Sequence, residues 1–180
     1  MAGKTREKNL SPKMSSTPIF VRRSDESQRT IDNYMTTTTK NTRLVQPYLF
    51  FDGRCDEALE FYRQNLGAEV NMLMRFKDSP QPPQPGACGN ASGDKVMHAS
   101  FRIGETTLMA SDGRCEGKPN FQGFSLSLTV STEAEAERVF GLLAREGQVQ
   151  APLSKTFFSP RFGMVADKFG VGWMVIVNPQ

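Results

Sequence analysis

Two segments of the chain carry apolar residues at the spacing of an amphipathic helix. They cover residues 56–66 and 133–145, and in each the apolar positions recur three or four residues apart. A glycine follows each segment, Gly67 and Gly147, and glycine just past a helix is a common left-handed C-terminal cap. The pattern therefore predicts two helices that each pack one face against a sheet. Their apolar positions are Ala58, Leu59, Phe61, Tyr62 and Leu66, and Ala136, Val139, Phe140 and Leu143.

The segments around both helices have the apolar runs and alternation of β-strands. In each half one strand precedes the helix and three follow it, the last two joined by a tight turn at Gly104 or Gly170. The two halves align with each other at an offset of about eighty residues, which indicates an internal repeat. The sequence thus predicts an α+β fold of paired βαβββ modules. The predicted strands cover residues 46–52, 69–76, 96–103, 106–110, 125–130, 148–156, 162–168 and 171–177.

Alternation along segments 96–103 and 124–130 separates an apolar face from a polar face in both halves. The apolar face must meet the helix. If the mixed sheet curves so that both polar faces turn inward, they line a shared cup, and a concave cavity is a candidate ligand site. The alternative is a sheet whose polar face meets solvent and binds nothing. The polar side chains expected in the cup are Gln46, Tyr48, His98, Ser100, Arg102, Ser125 and Ser127.

Charge separates the beginning of the chain from the rest. Residues 1–45 carry nine basic and four acidic side chains, a balance of +5, whereas the whole chain has a net charge of +3. The remainder is therefore mildly acidic, which argues against a nucleic-acid-binding domain. We expect a disordered basic tail over residues 1–43, with Met35 as an alternative native start, and a folded domain over 44–180. Its two modules are expected at 44–112 and 123–178.

The apolar runs and the cysteines of the sequence predict where in the cell the protein is located. No apolar run approaches the roughly 20 residues that a spanning helix needs, so no membrane association is expected. The three cysteines, Cys55, Cys88 and Cys115, are an odd number without the spacing of a metal site. We therefore expect free thiols and a cytoplasmic location.

The folded part resembles the PhnB-like branch of the vicinal oxygen chelate superfamily, which includes glyoxalase I, extradiol dioxygenases and bleomycin- and fosfomycin-resistance proteins. The resemblance covers roughly residues 45–178. It implies paired βαβββ modules, a homodimer with each site near the module junction or the dimer interface, and a small-molecule ligand. The motifs that carry it include Pro47-Tyr-Leu-Phe-Phe-Asp-Gly-Arg-Cys, Met97-His-Ala-Ser-Phe-Arg-Ile, Leu108-Met-Ala-Ser-Asp and Asp167-Lys-Phe-Gly-Val-Gly-Trp-Met.

The resemblance also implies a metal centre with one ligand from the first strand and one from the last strand of each module. Here the first-strand positions are Gln46 and Ser125, and the last strands contain no carboxylate, imidazole or thiolate. Because zinc, nickel or iron needs three or four such donors, we expect no metal and no other cofactor. Members of this branch also carry the label 3-demethylubiquinone-9 3-methyltransferase. The sequence lacks the glycine-rich strand-to-helix turn that holds a nucleoside cofactor in doubly wound sheets.

The primary interpretation is a PhnB-like protein that binds a small organic molecule. If it is an enzyme, the only histidine, His98, is the candidate acid–base group, with Asp112 orienting it and Arg102 holding an anionic or oxygen-rich substrate. Trp173 is a candidate cavity wall, and the Pro/Gly-rich loop 78–94 is either a lid or an ordinary surface loop. Two alternatives stay open: a sequestration module that binds a drug without chemistry, and a metal-dependent glyoxalase or dioxygenase.

Overall fold

The computed structural model describes residues 43–81, 93–115 and 119–179. Leu44–Gln180 belong to one compact unit. The predicted tail, except for Arg43, and most of the predicted lid loop lie outside the described residues. The elements are β1 (Tyr48–Phe50), α1 (Cys55–Leu66), β2 (Glu69–Arg75), a 3-10 turn (Phe76–Asp78), β3 (Val96–Ile103), β4 (Thr106–Ser111), β5 (Leu126–Val130), α2 (Glu133–Ala144), β6 (Gln148–Ser154), β7 (Phe162–Ala166) and β8 (Gly172–Val177).

The strands form two four-stranded sheets of the same topology, β1-β4-β3-β2 and β5-β8-β7-β6. In each sheet the first strand pairs in parallel with the last, and the other pairs are antiparallel. Each half therefore has the order βαβββ, which confirms the predicted α+β fold of paired modules.

Each helix begins and ends for a local physical reason. Gly67 adopts the left-handed conformation after α1, with φ +65°, and its N–H is donated to the Tyr62 carbonyl. The Thr132 side chain accepts a hydrogen bond from the Glu135 N–H and caps α2. The predicted left-handed cap at Gly147 is wrong: the left-handed residue after α2 is Glu146, with φ +59°.

Gly147 is required for close backbone approach instead. A Cβ there would lie 2.4 Å from the Ala166 carbonyl oxygen and 2.7 Å from that of Leu143, whereas nothing lies within 4 Å of a Cβ at Gly141 within α2. We expect Gly147→Ala to lower the free energy of unfolding by about 1–3 kcal/mol through steric strain. Gly141→Ala is the matched control and should raise it by about 0.5–1 kcal/mol, because alanine favours the helix. Urea denaturation of both variants measures this difference, and equal effects would contradict the strain at position 147.

The two modules meet at a buried carboxylate. Asp167 follows β7, and its two oxygens accept four hydrogen bonds, from the backbone N–H groups of Phe169 and Val171 and from the Tyr62 hydroxyl and the Trp173 indole N–H. Tyr62 belongs to α1 of the first module, and its ring lies 5.6 Å from that of Trp173 in the second. The interior is thus continuous from one module to the other.

The predicted strand faces are confirmed in the middle of β3 but not at its start, where Val96, predicted on the polar face, is fully buried. Ala99 and Phe101 in β3 are fully buried, whereas His98, Ser100 and Arg102 between and beside them are partly exposed. In the second sheet, Val130 pairs with Val177 on the buried face, and the exposed Ser127 pairs with Met174. The polar face of the first sheet also carries exposed apolar side chains, including Tyr48 and Phe50 of β1.

The cysteine prediction holds for one residue and fails for another. Cys55 is a buried free thiol, and burial raises its pKa far above the ordinary value. Cys115 is disulfide-bonded, so the expectation of free thiols throughout is wrong. In the described part of the chain, no helix combines the length and hydrophobicity that a membrane span requires.

Candidate functional site

Tyr48 and His98 form a polar pair on the open face of the first sheet. The Tyr48 hydroxyl lies 3.0 Å from Nδ1 of His98, and the two rings are 5.6 Å apart. β1 and β3 lie on either side of β4, so Tyr48 reaches across this strand to the histidine. The hydrogen bond occupies one ring nitrogen, and Nε2 makes no hydrogen bond to another described residue. The sequence placed both residues on this face, and the structure brings them together.

A cavity of about 660 Å³ lies beside this pair, between β1 and the segment that connects the modules. We call it the first cavity. Tyr48 lines it directly, whereas His98 lies behind Tyr48 and is not part of the wall. Its volume is in the range of small-molecule sites. The lining residues are Tyr48, Phe50, Asp52, Asp112, Gly113, Arg114, Pro119, Asn120, Phe121 and Phe124.

The charged groups of the first cavity are not equivalent. Asp112 is 1% exposed, and its oxygens accept the N–H groups of Cys55 and Val96, each at 2.7 Å. Asp52 also has a partner. Arg114 is exposed and makes no ion pair or hydrogen bond with another described residue. Among the described residues, the first cavity therefore offers a ligand one cation that is not committed elsewhere, together with four aromatic rings.

Two predicted roles are corrected by these contacts. Asp112 does not contact His98, because its carboxylate joins the start of α1 to the start of β3. Arg102 does not face a ligand alone: its guanidinium lies 2.7 Å from the Glu69 carboxylate, and both side chains are substantially exposed. This neighbour raises the pKa of Arg102.

The predicted residues of the second module lie elsewhere. Ser125 and Ser127 line a different, smaller cavity of about 410 Å³ between the β3–β4 turn and β5. Neither Tyr48 nor His98 lines this smaller cavity. Trp173 contributes to the same wall, but it is 3% exposed and donates its N–H to Asp167, so its main role is structural. Gln46 precedes β1, and Ser100 lies opposite Met109 in β4. The structure does not join these residues and His98 in one of the described cavities, and the shared cup stays a prediction.

Sequence reasoning did not identify two side chains that distinguish the first cavity, the Phe50 ring and the Arg114 cation. Phe50 is 56% exposed and lies 4.9 Å from the Tyr48 ring. Exposed apolar residues at positions 48 and 50 on one strand were a usable signal, because side chains two apart share a face. Arg114 belongs to the connection between the modules, whose path no periodicity specifies. Alternation placed Phe124 on the helix-facing side of its strand, but its side chain is 44% exposed.

The residues described here do not fit the superfamily's metal centre. β4 and β8 contain no imidazole, carboxylate or thiolate, and the nearby Asp112 carboxylate is already used by two backbone N–H groups. No three His, Cys, Asp or Glu side chains among the described residues lie close enough to hold a metal ion. The expectation of no metal or cofactor nevertheless stays a prediction.

Two βαβββ modules with a cavity on an open sheet face define an α+β protein of the glyoxalase type. The chain belongs to the family described as 3-demethylubiquinone-9 3-methyltransferase, whose model matches residues 43–176. It is similar to protein YjdN of Escherichia coli K12, with 36% identity over 141 residues that cover 76% of this chain and 96% of YjdN.

The chain is also similar to solved structures, one of which is a PhnB protein. Protein PA1353 of Pseudomonas aeruginosa is 41% identical, with a TM-score of 0.66, over 77% of this chain and all of that one. The PhnB protein of Bacillus cereus is 28% identical, with a TM-score of 0.62, over 75% and 99%. A glyoxylase/bleomycin resistance protein/dioxygenase domain from Frankia shares the fold alone, with 14% identity and a TM-score of 0.51 over 77% and 97%.

Proposed function

We propose that this protein binds a small planar organic molecule that carries an anionic group, and that the first cavity is the binding site. The observation that carries the proposal is the combination of four aromatic rings with the uncommitted cation of Arg114. Aromatic walls favour a planar apolar body through burial and ring contacts. A guanidinium favours a carboxylate or another oxygen anion.

The Tyr48 hydroxyl is the hydrogen-bonding group that meets this ligand. The Tyr48 side chain lines the cavity and its hydroxyl contacts His98, so the imidazole acts through the phenol. A hydrogen bond to His98 holds the phenol in one orientation, which reduces the cost of ordering it when a ligand arrives. His98 is therefore a positioning residue in this proposal.

The test uses 2-naphthoate and its uncharged isostere 2-naphthamide in ligand-observed NMR titrations. We expect 2-naphthoate to bind about fivefold more tightly, because a partly exposed ion pair contributes up to about 1 kcal/mol. Arg114→Gln should remove this preference and leave 2-naphthamide binding unchanged. Arg138→Gln, on the exposed surface of α2, is the matched control and should retain the preference.

Tyr48→Phe keeps the ring and removes the hydroxyl, so it should weaken both probes by an equal factor of about two to ten. His98→Ala should weaken both probes less than Tyr48→Phe and leave the melting temperature unchanged. The proposal fails if neither probe binds, or if binding is insensitive to Arg114→Gln and Tyr48→Phe together.

A second candidate function is acid–base catalysis in the same cavity, favoured by the Tyr48–His98 hydrogen bond. A phenol that touches the ligand and an imidazole behind it could pass a proton to or from a bound substrate. In that case His98→Ala abolishes turnover without lowering the melting temperature, whereas ligand binding without product indicates a binding or sequestration protein. The methyltransferase description of the family adds a requirement for a methyl donor, for which the described residues form no glycine-rich strand-to-helix turn.

The expected homodimer and the cytoplasmic location remain part of this proposal. Exposed apolar side chains on the first sheet offer a surface that a second copy could cover. Those on the same face as Ser100 are Tyr48, Phe50 and Met72.

A further inference from the structure

A second cavity, of about 630 Å³, lies on the other side of the connection between the modules. Its walls come from residues 119–125 and from the open face of the second sheet. The lining residues are Pro119, Asn120, Phe121, Gln122, Gly123, Phe124, Ser125, Gln148, Gln150, Ala166, Gly170, Gly172 and Met174. Among the residues that the structure describes, no charged side chain belongs to this wall, in contrast to the first cavity.

The polar groups of the second cavity have hydrogen-bonding capacity that is not used within the described chain. Asn120 and Gln122 reach it from the connection, and Gln148 and Gln150 reach it from β6. None of these four amides, nor the Ser125 hydroxyl, forms a side-chain hydrogen bond with another described residue. Each carboxamide both donates and accepts, and a hydroxyl does the same. The two pairs of amides thus come from two separate segments of the wall.

This composition selects for a neutral ligand. An ion placed between uncharged walls loses hydration without gaining a counter-charge, which is unfavourable. A ligand rich in hydroxyl groups can instead exchange donors and acceptors with the amides. The Phe121 and Phe124 rings, which lie 6.2 Å apart, add apolar surface for the C–H faces of a ring.

We propose that the second cavity binds a neutral, hydroxyl-rich small molecule of the size of one or two sugar rings. The site differs from the proposed site in the first cavity. The two cavities share only Pro119, Asn120, Phe121 and Phe124 as a common wall, and the amides of β6 belong to the second alone. This inference therefore does not depend on the proposed function.

The test is a ligand-observed NMR titration with methyl β-glucoside and cellobiose as neutral probes and glucuronate as the charged analogue. We expect the neutral probes to bind and glucuronate to bind at least tenfold more weakly. The Gln148→Leu/Gln150→Leu double variant should weaken binding of the neutral probes at least tenfold. It removes two amide groups and replaces each glutamine with a side chain of similar size. Gln64→Leu, on the surface of α1, is the matched control and should change nothing.

The melting temperature and 2-naphthoate titration of the double variant separate a folding defect from a local effect. If the double variant unfolds, the single variant Gln150→Glu replaces it, and its added charge should weaken the neutral probes. Unchanged 2-naphthoate binding in the double variant, with lost glucoside binding, supports two separate sites. The proposal is overturned if the neutral probes do not bind, if glucuronate binds as tightly, or if the amide variants bind the neutral probes as the wild type does.

Discussion

Replacing Asp167 with asparagine should lower the free energy of unfolding by about 1–3 kcal/mol, the range for leaving one buried hydrogen-bond donor without its partner. Asp167 is 3% exposed, and all four of its partners donate hydrogen bonds. An amide has one accepting oxygen, so its NH₂ group must face two donors. The Tyr62 hydroxyl can rotate and accept from that NH₂, but the Trp173 indole N–H cannot accept. One buried donor is then left without a partner.

Urea denaturation of the wild type and Asp167→Asn measures this loss. Tyr62→Phe removes one of the four donors and should cost about 1–2 kcal/mol in the wild-type background and less in the Asp167→Asn background. The matched control is Glu133→Gln, which neutralises a half-exposed carboxylate near Arg161 and should change stability by less than about 1 kcal/mol. An Asp167→Asn variant as stable as this control would contradict the role assigned to the carboxylate.

The titration of Asp167 adds a pH dependence with a definite sign. Burial raises the pKa of this carboxyl, and hydrogen bonds from Trp173 and Tyr62 oppose the rise. The folded state therefore holds the proton up to a higher pH than the unfolded chain. The resulting stabilisation is present below the ordinary pKa of an aspartate and is lost as the pH rises through the folded value. The stability difference between wild type and Asp167→Asn should accordingly decrease from acidic to neutral pH.

The regular elements could be predicted from the sequence because their signals are local. Strand β3 spans Val96–Ile103 as expected, and both helices begin and end within one residue of the predicted limits. Gly104 and Gly170 adopt the positive φ that tight turns require. Gly147 shows the limit of this reasoning. A glycine after a helix can either form a left-handed C-terminal cap or allow a neighbouring backbone segment to approach closely. Only the neighbouring backbone of Ala166 decides between them.

The candidate site was predictable where it depends on strand alternation and unpredictable where it depends on distant contacts. Alternation placed Tyr48 and His98 on one face, and their side chains meet. Arg102 has the expected exposure, but its partner Glu69 lies on a strand whose register the sequence does not reveal. The same limitation applies to Tyr62 and Asp167, which are 105 residues apart.

A distant contact also explains how α1 begins. Its N-cap residue is Arg54, which provides no side-chain cap, although short polar residues are strongly preferred there. The acceptor comes instead from Asp112, 57 residues later, which binds the N–H of Cys55. Its negative charge is also favourable beside the positive end of the helix dipole. Sequence reasoning assigned Asp112 to catalysis because this long-range cap leaves no local pattern.

Asp112→Ala should therefore lower the free energy of unfolding by about 2–4 kcal/mol, because two buried N–H groups lose their acceptor. Asp112→Asn keeps one accepting oxygen and should cost about half as much. Hydrogen exchange locates the effect: the amides of Cys55 and Val96 should lose protection in Asp112→Ala before those of β8 do. Asp56→Ala is the control, since its exposed carboxylate binds only Arg75 at the surface and should leave both amides protected. If Asp112→Asn instead keeps full stability and loses 2-naphthoate binding, the carboxylate belongs to the ligand site and its structural assignment is wrong.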